Sequence, residues 1–212
     1  MPARGRLIAL EGIDGCGKST QARALAESLG ARLTFEPGAT PVGARLRQLL
    51  LEPDAAPPSP RAEALLMAAD RAEHVARMLE PALSAGEWVV TDRYAASTIA
   101  YQGYGQGLDP AALEDLVRWA AGGVAADLSI LVDVSVDVAA SRLAAQGRRG
   151  ADRMERLGPD FAARVREGFL AQAALNPARW LVVDGTLGAA ALTAHIVASV
   201  RERLGDVPAG RR

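Results

Sequence analysis

The sequence predicts an α/β fold, a three-layer sandwich in which helices cover both faces of a five-stranded parallel sheet. Short apolar runs alternate along the chain with longer stretches of helical periodicity, and the first run leads directly into a glycine-rich loop and a helix. This alternation is typical of parallel strands joined by crossover helices. A length of 212 residues suits one compact domain, which we expect to span residues 1–212.

The individual elements follow in order from this pattern. The predicted strands are short apolar runs at residues 7–10, 32–35, 88–91, 128–133 and 180–184. The predicted helices carry apolar residues at helical spacing and lie at residues 20–29, 60–83, 110–121, 136–145, 159–174 and 189–204. Residues 52–60 (EPDAAPPSP) are predicted to be a proline-rich surface connection, because the pattern continues on both sides of them.

Charged residues lie at or just past the ends of the predicted strands. These residues are Glu11, Glu36, Asp92, Arg93 and Asp184. Because ligands of open parallel sheets bind at the carboxyl ends of the strands, we expect a binding site there. Residues 147–158 (GRRGADRMERLG) form a charged, glycine-bounded stretch between two predicted helices and are predicted to be a mobile lid. The tail at residues 206–212 is expected to be flexible.

Residues 12–19 (GIDGCGKS) have the complete G-x-x-x-x-G-K-S spacing of a phosphate-binding loop. Lys18 is the only lysine among the 24 lysines and arginines of the chain. In such a loop a compact ammonium reaches the β and γ oxygens where a planar guanidinium would not fit. The alternative is a chance glycine-rich turn, but the strand before the loop and the helix after it favour the motif. We therefore predict that the chain binds a nucleoside triphosphate.

Phosphoryl transfer also needs a divalent ion and further positive charge. The motif places Ser19 to bind Mg²⁺, and Asp92 at the end of a buried strand is the natural carboxylate for the same ion; its alternative role is a turn or helix cap. Arg93 directly follows Asp92 in the sequence and can bind phosphate. Three arginines of the predicted lid could fold over the γ-phosphate or simply form a solvated charged run. They are Arg148, Arg149 and Arg153.

An acceptor site is indicated by two further segments. Met67 and Arg71 are four residues apart and share one face of a mostly apolar helix, so Arg71 extends either from the core or into a ligand cavity. Residues 97–103 (STIAYQG) are polar and follow the strand that leads to Asp92 and Arg93, which suggests that they recognise a base or sugar. His74 and His195 are isolated and predicted to be surface residues of helices.

Composition excludes several classes of protein. A net charge of −1 argues against a protein that coats nucleic acid. The single cysteine, Cys16, excludes an internal disulfide and fits a reducing compartment. No run is apolar and long enough for a signal peptide or membrane span, so we expect a cytoplasmic protein with no nucleic-acid or membrane partner. The position of Cys16 beside Lys18 at a helix start raises the hypothesis of an acidified thiol; the alternative is a small residue that merely fits the loop.

Taken together, these residues resemble the thymidylate kinase family, bacterial type. The matching segments are residues 11–20 (EGIDGCGKST), 36–51 (EPGATPVGARLRQLLL), 69–75 (ADRAEHV), 92–108 (DRYAASTIAYQGYGQGL), 152–158 (DRMERLG) and 166–171 (REGFLA). The resemblance covers nearly the whole chain up to about residue 206. It implies a P-loop kinase fold with a short lid, a homodimer, and the Mg²⁺-dependent reaction ATP + dTMP → ADP + dTDP in dTTP synthesis.

The resemblance also implies residue roles. The ATP-binding residues are Gly12, Ile13, Asp14, Gly15, Cys16, Gly17, Lys18, Ser19, Thr20 and Arg142. The dTMP-binding residues are Asp14 at the 3′-hydroxyl, Glu36 at the border of the site, Arg47 and Arg93 at the 5′-phosphate, Arg71 at thymine O4, and Met67, Ser97, Thr98, Tyr101 and Gln102 around the base. The catalytic residues are Lys18, Arg93, Arg148, Arg149 and Arg153. Since Gly15 replaces the arginine that some members carry in the loop, the lid-arginine type is expected.

Two alternatives remain open at this point. A kinase of the same fold could act on another nucleoside monophosphate or on a deoxynucleoside, although the pair Arg47 and Arg93 favours an acceptor that already carries phosphate. The second alternative is a non-catalytic nucleotide-binding module or a GTPase-like switch. Because the only lysine lies in the phosphate loop, the chain cannot contain the Asn-Lys-x-Asp guanine signature, which favours adenine over guanine as the bound base.

The sequence departs from the family pattern at three positions. Phe35 stands where arginine is usual before Glu-Pro-Gly, Met67 replaces the thymine-stacking phenylalanine, and Ala39 replaces a second glycine. A thioether still packs against an aromatic face, by roughly 0.3–1.5 kcal/mol, but selects shape less strictly than a stacked ring. We therefore predict dTMP kinase activity with weakened base discrimination.

Overall fold

A computed structural model describes residues 4–52, 56–145 and 153–207 of the chain. Its centre is a five-stranded, fully parallel sheet in the order β2-β3-β1-β4-β5. The strands are β1 (Leu7–Glu11), β2 (Arg32–Phe35), β3 (Val89–Asp92), β4 (Leu128–Asp133) and β5 (Trp180–Asp184). The predicted fold class and all five predicted strands are confirmed.

Helices pack on both faces of the sheet. They are α1 (Lys18–Leu29), α2 (Pro41–Leu51), α3 (Pro60–His74), α4 (Glu80–Ser84), α5 (Ala95–Thr98), α6 (Pro110–Ala120), α7 (Val136–Ala145), α8 (Pro159–Leu175) and α9 (Ala189–Leu204). Wider π-helical turns continue α3 over Val75–Leu79 and α5 over Ile99–Gly105, and a short 3₁₀ turn covers Glu155–Leu157. Within the described ranges, no helix combines the length and apolarity needed to cross a membrane.

The two faces of the sheet bury separate clusters of apolar side chains. Ile8 and Leu10 of β1 belong to a large cluster that also holds residues of α1, α8 and α9. Leu7 and Ala9, which alternate with them, belong to a smaller cluster with residues of the α3–α4 region. The central strand β1 is thus covered on both sides, which is why it is a continuous apolar run rather than an alternating one.

The sheet register brings the expected polar residues to one edge. Asp92 at the end of β3 lies opposite Leu10 of β1, and the backbone N–H of Arg93 donates to the Leu10 carbonyl at 2.9 Å. The N–H of Glu36, after β2, donates to the Asp92 carbonyl at 3.0 Å. The carboxyl ends of three neighbouring strands therefore open onto the loop that precedes α1.

Candidate active site

The loop at residues 12–17 has the backbone geometry of a phosphate cradle. Gly15 and Gly17 have φ angles of 83° and 98°, in the left-handed region that favours glycine. A Cβ on Gly15 would lie 2.4 Å from the Ala139 carbonyl oxygen, so no larger residue fits there without displacement of α7. The loop ends in the first turn of the twelve-residue helix α1, whose free N–H groups and dipole favour an anion.

Asp14 connects the loop with the charged residues that follow β3. Nζ of Lys18 lies 3.1 Å from its Oδ1, and Nη2 of Arg93 donates to the same oxygen at 2.6 Å. The hydroxyl of Tyr101 donates to Oδ2 at 2.8 Å. Lys18 and Arg93, predicted from the sequence as transition-state cations, therefore meet on one carboxylate.

The electrostatics keep this cluster ionised. Burial would raise the pKa of Asp14, but the charges of Lys18 and Arg93 and the Tyr101 hydroxyl outweigh it and hold that pKa well below its usual range. Burial alone would lower the pKa of Arg93, yet Tyr101 and the Asp14 carboxylate raise it well above its ordinary value. The Asp14 carboxylate and the Arg93 guanidinium are therefore both held in their charged forms.

Arg93 is oriented by more than its ion pair. Its φ of 72° places it in the left-handed region, and its Nη1 donates to the Gly12 carbonyl at 3.1 Å and to Ser97 Oγ at 3.0 Å. The guanidinium carbon also lies 4.7 Å from the centre of the Tyr101 ring. The side chain is consequently held across the gap between the phosphate loop and the residues of α5.

Asp92 and Ser19 fit the requirements of a magnesium site. Oδ1 of Asp92 is buried and accepts no hydrogen bond from the described part of the chain, whereas such atoms are normally satisfied. Ser19 is exposed in the first turn of α1. No cluster of three or more His, Cys, Asp or Glu side chains suited to a metal is found among the described residues. One carboxylate and one hydroxyl match Mg²⁺, which takes its other ligands from water and substrate phosphates.

A cavity opens beside the loop and is lined by every residue predicted to bind the acceptor. The lining residues are Asp14, Glu36, Pro37, Arg47, Leu51, Met67, Arg71, Arg93, Tyr94, Ser97, Thr98, Tyr101, Gln102 and Met154. The structure thus brings together residues from the phosphate loop, α2, α3 and α5 that are far apart in sequence. Of the two orientations open for Arg71, it takes the one that reaches the cavity.

Arg71 is buried and held from three sides. Its Nε donates to Glu36 Oε2 at 3.0 Å, Nη1 donates to Thr98 Oγ1 at 3.1 Å, and Nη2 donates to the Tyr94 carbonyl at 3.0 Å. Nδ1 of His74 donates to the other Glu36 oxygen at 2.9 Å, and its Nε2 lies 2.7 Å from Thr34 Oγ1. The prediction that His74 is a surface residue is wrong: it is fully buried, because α3 turns this face toward β2.

Asp70 is a second residue of this face whose role the sequence did not indicate. Its Oδ1 accepts from the Gly38 N–H at 3.0 Å, while Oδ2 is buried and accepts no hydrogen bond from the described residues. Burial, together with repulsion from Glu36, raises the pKa of Asp70 to about 6. Asp70 thereby fixes the turn after β2 that borders the acceptor cavity.

Glu11 ties the end of β1 to the start of α5. Its Oε1 accepts from the Tyr94 N–H at 3.0 Å and its Oε2 from the Ser97 hydroxyl at 2.6 Å. Burial raises its pKa to about 7, against the hydrogen bond from Ser97 and the charge of Arg93. Since Ser97, which donates to Glu11, also accepts from Arg93, Glu11 supports the Arg93 side chain indirectly.

The remaining predicted residues lie around the loop or outside the described ranges. Arg142 of α7 donates to the Cys16 carbonyl at 3.1 Å and to the Gly185 carbonyl at 2.8 Å, next to the loop. Arg47 donates to the Pro37 carbonyl at 2.7 Å. Its guanidinium carbon lies 6.0 Å from the centre of the ring of Phe35, the residue that stands where the family resemblance implies an arginine. Arg148 and Arg149 lie outside the described residues, as does the whole first half of the predicted lid, residues 147–152.

Two further predicted residues are placed differently from expectation. Cys16 is buried, and burial raises its pKa against the charge of Lys18, so the hypothesis of an acidified thiol is wrong. Asp184 at the end of β5 accepts from the N–H and hydroxyl of Thr186 at 2.8 and 2.7 Å and caps an exposed turn. It is not among the residues that line the acceptor cavity.

Comparison with known proteins agrees with this geometry. A family model described as thymidylate kinase matches residues 10–196. A thymidylate kinase of Synechococcus sp. is 47% identical over 212 residues, covering 95% of this chain and 98% of its own length. One of Pelotomaculum thermopropionicum is 43% identical over 188 residues, covering 86% and 87%. The crystal structure of thymidylate kinase from Ehrlichia chaffeensis matches with a TM-score of 0.75 at 31% identity, covering 93% of this chain and 99% of that chain.

Proposed function

Because this chain belongs to the thymidylate kinase family, we propose that it transfers the γ-phosphoryl group of ATP to dTMP and forms ADP and dTDP. The observation that carries the proposal is the double position of Asp14. It belongs to the phosphate loop, and it also lines the cavity that contains Arg71 and Gln102. Two nucleotides bound on the two sides of Asp14 meet with their phosphates end to end.

In this proposal each cavity side chain binds a different part of dTMP. Asp14 accepts a hydrogen bond from the 3′-hydroxyl, and Arg47 and Arg93 bind the 5′-phosphate. Arg71 donates to the base, and Met67 packs against its face. All five line the cavity, and a cation at each end suits an acceptor with a phosphate on one end and a carbonyl-bearing base on the other.

The chemistry then depends on position and charge. A phosphate dianion is already a nucleophile, so the acceptor needs no general base. Lys18 and Arg93 are fixed by Asp14 before the substrates bind, so little reorganisation is needed when negative charge builds up on the transferred group. The lid arginines Arg148 and Arg149 are proposed to add positive charge on the side of the γ-phosphate. Arg153, the third arginine predicted for this role, is instead paired with the buried Glu63 and the Leu50 carbonyl beside the acceptor cavity.

Ser19 and Asp92 are the residues we propose to hold Mg²⁺. Bound there with ATP, the ion would neutralise charge on the β and γ oxygens. The buried oxygen of Asp92 that has no partner in the described chain supports this role.

An ADP-release assay across nucleoside monophosphates and thymidine tests the proposed function. We expect dTMP to give the highest kcat/KM, because the cavity combines a phosphate site with a site for a carbonyl-bearing base. Lys18→Ala should lower kcat by about 10³-fold or more while the circular dichroism spectrum stays unchanged. Near wild-type turnover in Lys18→Ala, or a preference for thymidine over dTMP, would contradict the proposal.

We also propose that the chain acts as a homodimer through α3 and α6. Leu65 of α3 and Trp119 of α6 are exposed, at 59% and 81% of their full area. Between these helices lies an apolar groove lined by Arg61, Ala64, Leu65, Leu108, Asp109, Ala112, Leu113 and Leu116. Exposed apolar surface of this kind is typical of protein–protein contacts.

A further inference from the structure

One buried carboxylate beside the acceptor cavity has no part in the roles assigned so far. Glu63 is fully buried in the first turn of α3 and does not line the cavity. Its Oε1 accepts from Gln102 Nε2 at 2.7 Å and from Gln106 Nε2 at 2.6 Å, and its Oε2 forms an ion pair with Arg153. Arg153 is fixed in turn by a hydrogen bond of 3.0 Å from its Nε to the Leu50 carbonyl.

This arrangement determines how the Gln102 amide is turned. An ionised carboxylate only accepts hydrogen bonds, so an amide beside it must present its NH₂ group. Because Arg153 is paired with the other oxygen, both Glu63 oxygens face donors, and the reverse orientation of Gln102 would place two acceptors against each other in a buried site. Since Gln102 lines the cavity and its Nε2 is used by Glu63, its carbonyl oxygen is the atom left for a ligand.

Arg71 supplies the opposite property to the same cavity. Within the described residues its Nε, one Nη1 hydrogen and Nη2 are directed at Glu36, Thr98 and Tyr94, which leaves a second Nη1 hydrogen. Arg71 is therefore a donor and Gln102 an acceptor, and both lie on the same lining. A keto-imide base such as thymine or uracil has a carbonyl oxygen next to an N–H group and matches this pair. Cytosine presents an amino donor and a bare ring nitrogen and mismatches both.

We propose that Glu63 is a specificity-determining residue: by holding the NH₂ group of Gln102, it makes the cavity accept keto-imide bases and reject aminopyrimidines. The proposal rests on the proposed function, since it concerns the base of the acceptor nucleotide. Glu63 acts through Gln102 and is a positioning residue rather than a catalytic one.

The test is the ratio of kcat/KM for dTMP over dCMP in wild type and in Glu63→Gln. The substituted amide can accept or donate, so Gln102 is free to take either orientation. We expect the ratio to fall by about tenfold or more. The ratio for dTMP over dUMP should stay the same, because both bases carry the same imide edge and differ only in the 5-methyl group.

Gln106→Ala is the matched control, because Gln106 donates to the same Glu63 oxygen but does not line the cavity. It should leave the dTMP/dCMP ratio unchanged. If Glu63 only supports the fold, Glu63→Gln lowers turnover of both substrates in proportion, and the unchanged ratio overturns the proposal.

A second variant decides the question if Glu63→Gln does not fold by circular dichroism. Gln102→Leu removes the carbonyl acceptor itself, and we expect it to lower the dTMP/dCMP ratio by a similar factor. An unchanged ratio in that variant overturns the proposal as well. Absence of dTMP turnover in the wild-type enzyme would be a different result, because it would contradict the proposed function before specificity is measured.

Discussion

Met67 lines the acceptor cavity at the position where a phenylalanine is expected from the family resemblance. A flexible thioether contacts a base with little shape selection, whereas a phenyl ring stacks on it in a fixed plane. We predict that Met67→Phe raises the ratio of kcat/KM for dTMP over dUMP, which differ by one methyl group, by up to about tenfold. Met78→Phe is the matched control, since Met78 is not among the residues that line the cavity. An unchanged ratio in Met67→Phe would remove Met67 from the specificity of the site.

Cys16 should be unreactive in the folded protein. Its side chain is 1% exposed, and burial raises its pKa, so the thiolate that reacts with alkylating agents is scarce and inaccessible. We predict that N-ethylmaleimide labels the native protein at least about 100-fold more slowly than the urea-unfolded protein. Ala76→Cys, at an exposed position, is the control and should label rapidly in the native state. Equal labelling rates of Cys16 in native and unfolded protein would show that the loop opens readily.

At the scale of elements, Glu11 makes the junction of β1 and α5 dependent on pH. Its pKa is raised from 4.5 to about 7 by burial, so between these values the folded protein binds more protons than the unfolded chain. The free energy of unfolding therefore falls as pH rises through this window, by about 3 kcal/mol from this group. We predict that Glu11→Gln removes this slope, measured by urea unfolding at pH 5, 6, 7 and 8.

A control separates Glu11 from the other buried carboxyl group with a raised pKa. Asp70 has a pKa of about 6, so its own contribution falls between pH 4 and 6. Asp70→Asn should therefore keep the slope between pH 6 and 7 that Glu11→Gln loses. Asp14 does not interfere, because its lowered pKa confines its effect to acid pH, where its stabilisation is lost as pH falls. The same slope in wild type and Glu11→Gln between pH 6 and 7 would contradict the assignment.

The strands could be predicted because buried parallel strands are continuous apolar runs, but α2 could not be predicted from periodicity. This helix buries only Gly43 and Leu50, so it has no apolar stripe. Its local signal was a helix start: Thr40 accepts from the Gly43 N–H at 2.9 Å, and proline follows it. The π-helical turns after α3 and α5 left no recognisable signal in the sequence.

The candidate site could be predicted where a motif defines it, as in the phosphate loop. The residues whose roles were missed position other side chains. Three of them lie on α3 and share a spacing pattern with Arg71, which was predicted. Glu63, Asp70, Arg71 and His74 are separated by seven, one and three positions, which places them on one face of α3. All four are buried, so a charged stripe on a mostly apolar helix was the available sign of a site. Which charge faces which partner depends on β2 and α5 and is decided only by the tertiary structure.

At the scale of the whole molecule, α3 has a buried charged face toward the acceptor cavity and an exposed apolar face along the groove between α3 and α6. Glu63 and Arg71 are buried toward the acceptor cavity, whereas Leu65 is exposed. Ala112, Leu116 and Trp119 of α6 are spaced by four and three residues, so they continue the apolar surface along that helix. A second copy packed on this surface would bury it and support α3, the helix whose Met67 and Arg71 line the acceptor cavity.

We therefore predict that the wild-type chain sediments as a dimer and that Leu65→Arg sediments as a monomer. Because α3 carries Met67 and Arg71, loss of the contact should raise the KM for dTMP by about threefold or more and leave the KM for ATP nearly unchanged; on the order of 1 kcal/mol of lost support is enough. Leu175→Arg is the matched control: Leu175 is 83% exposed at the end of α8 and is not among the residues that line the groove between α3 and α6, so its substitution should leave the dimer intact. A monomeric wild-type enzyme, or a dimeric Leu65→Arg variant with unchanged KM for dTMP, would contradict this arrangement, since the acceptor helix would then be held by its own chain alone.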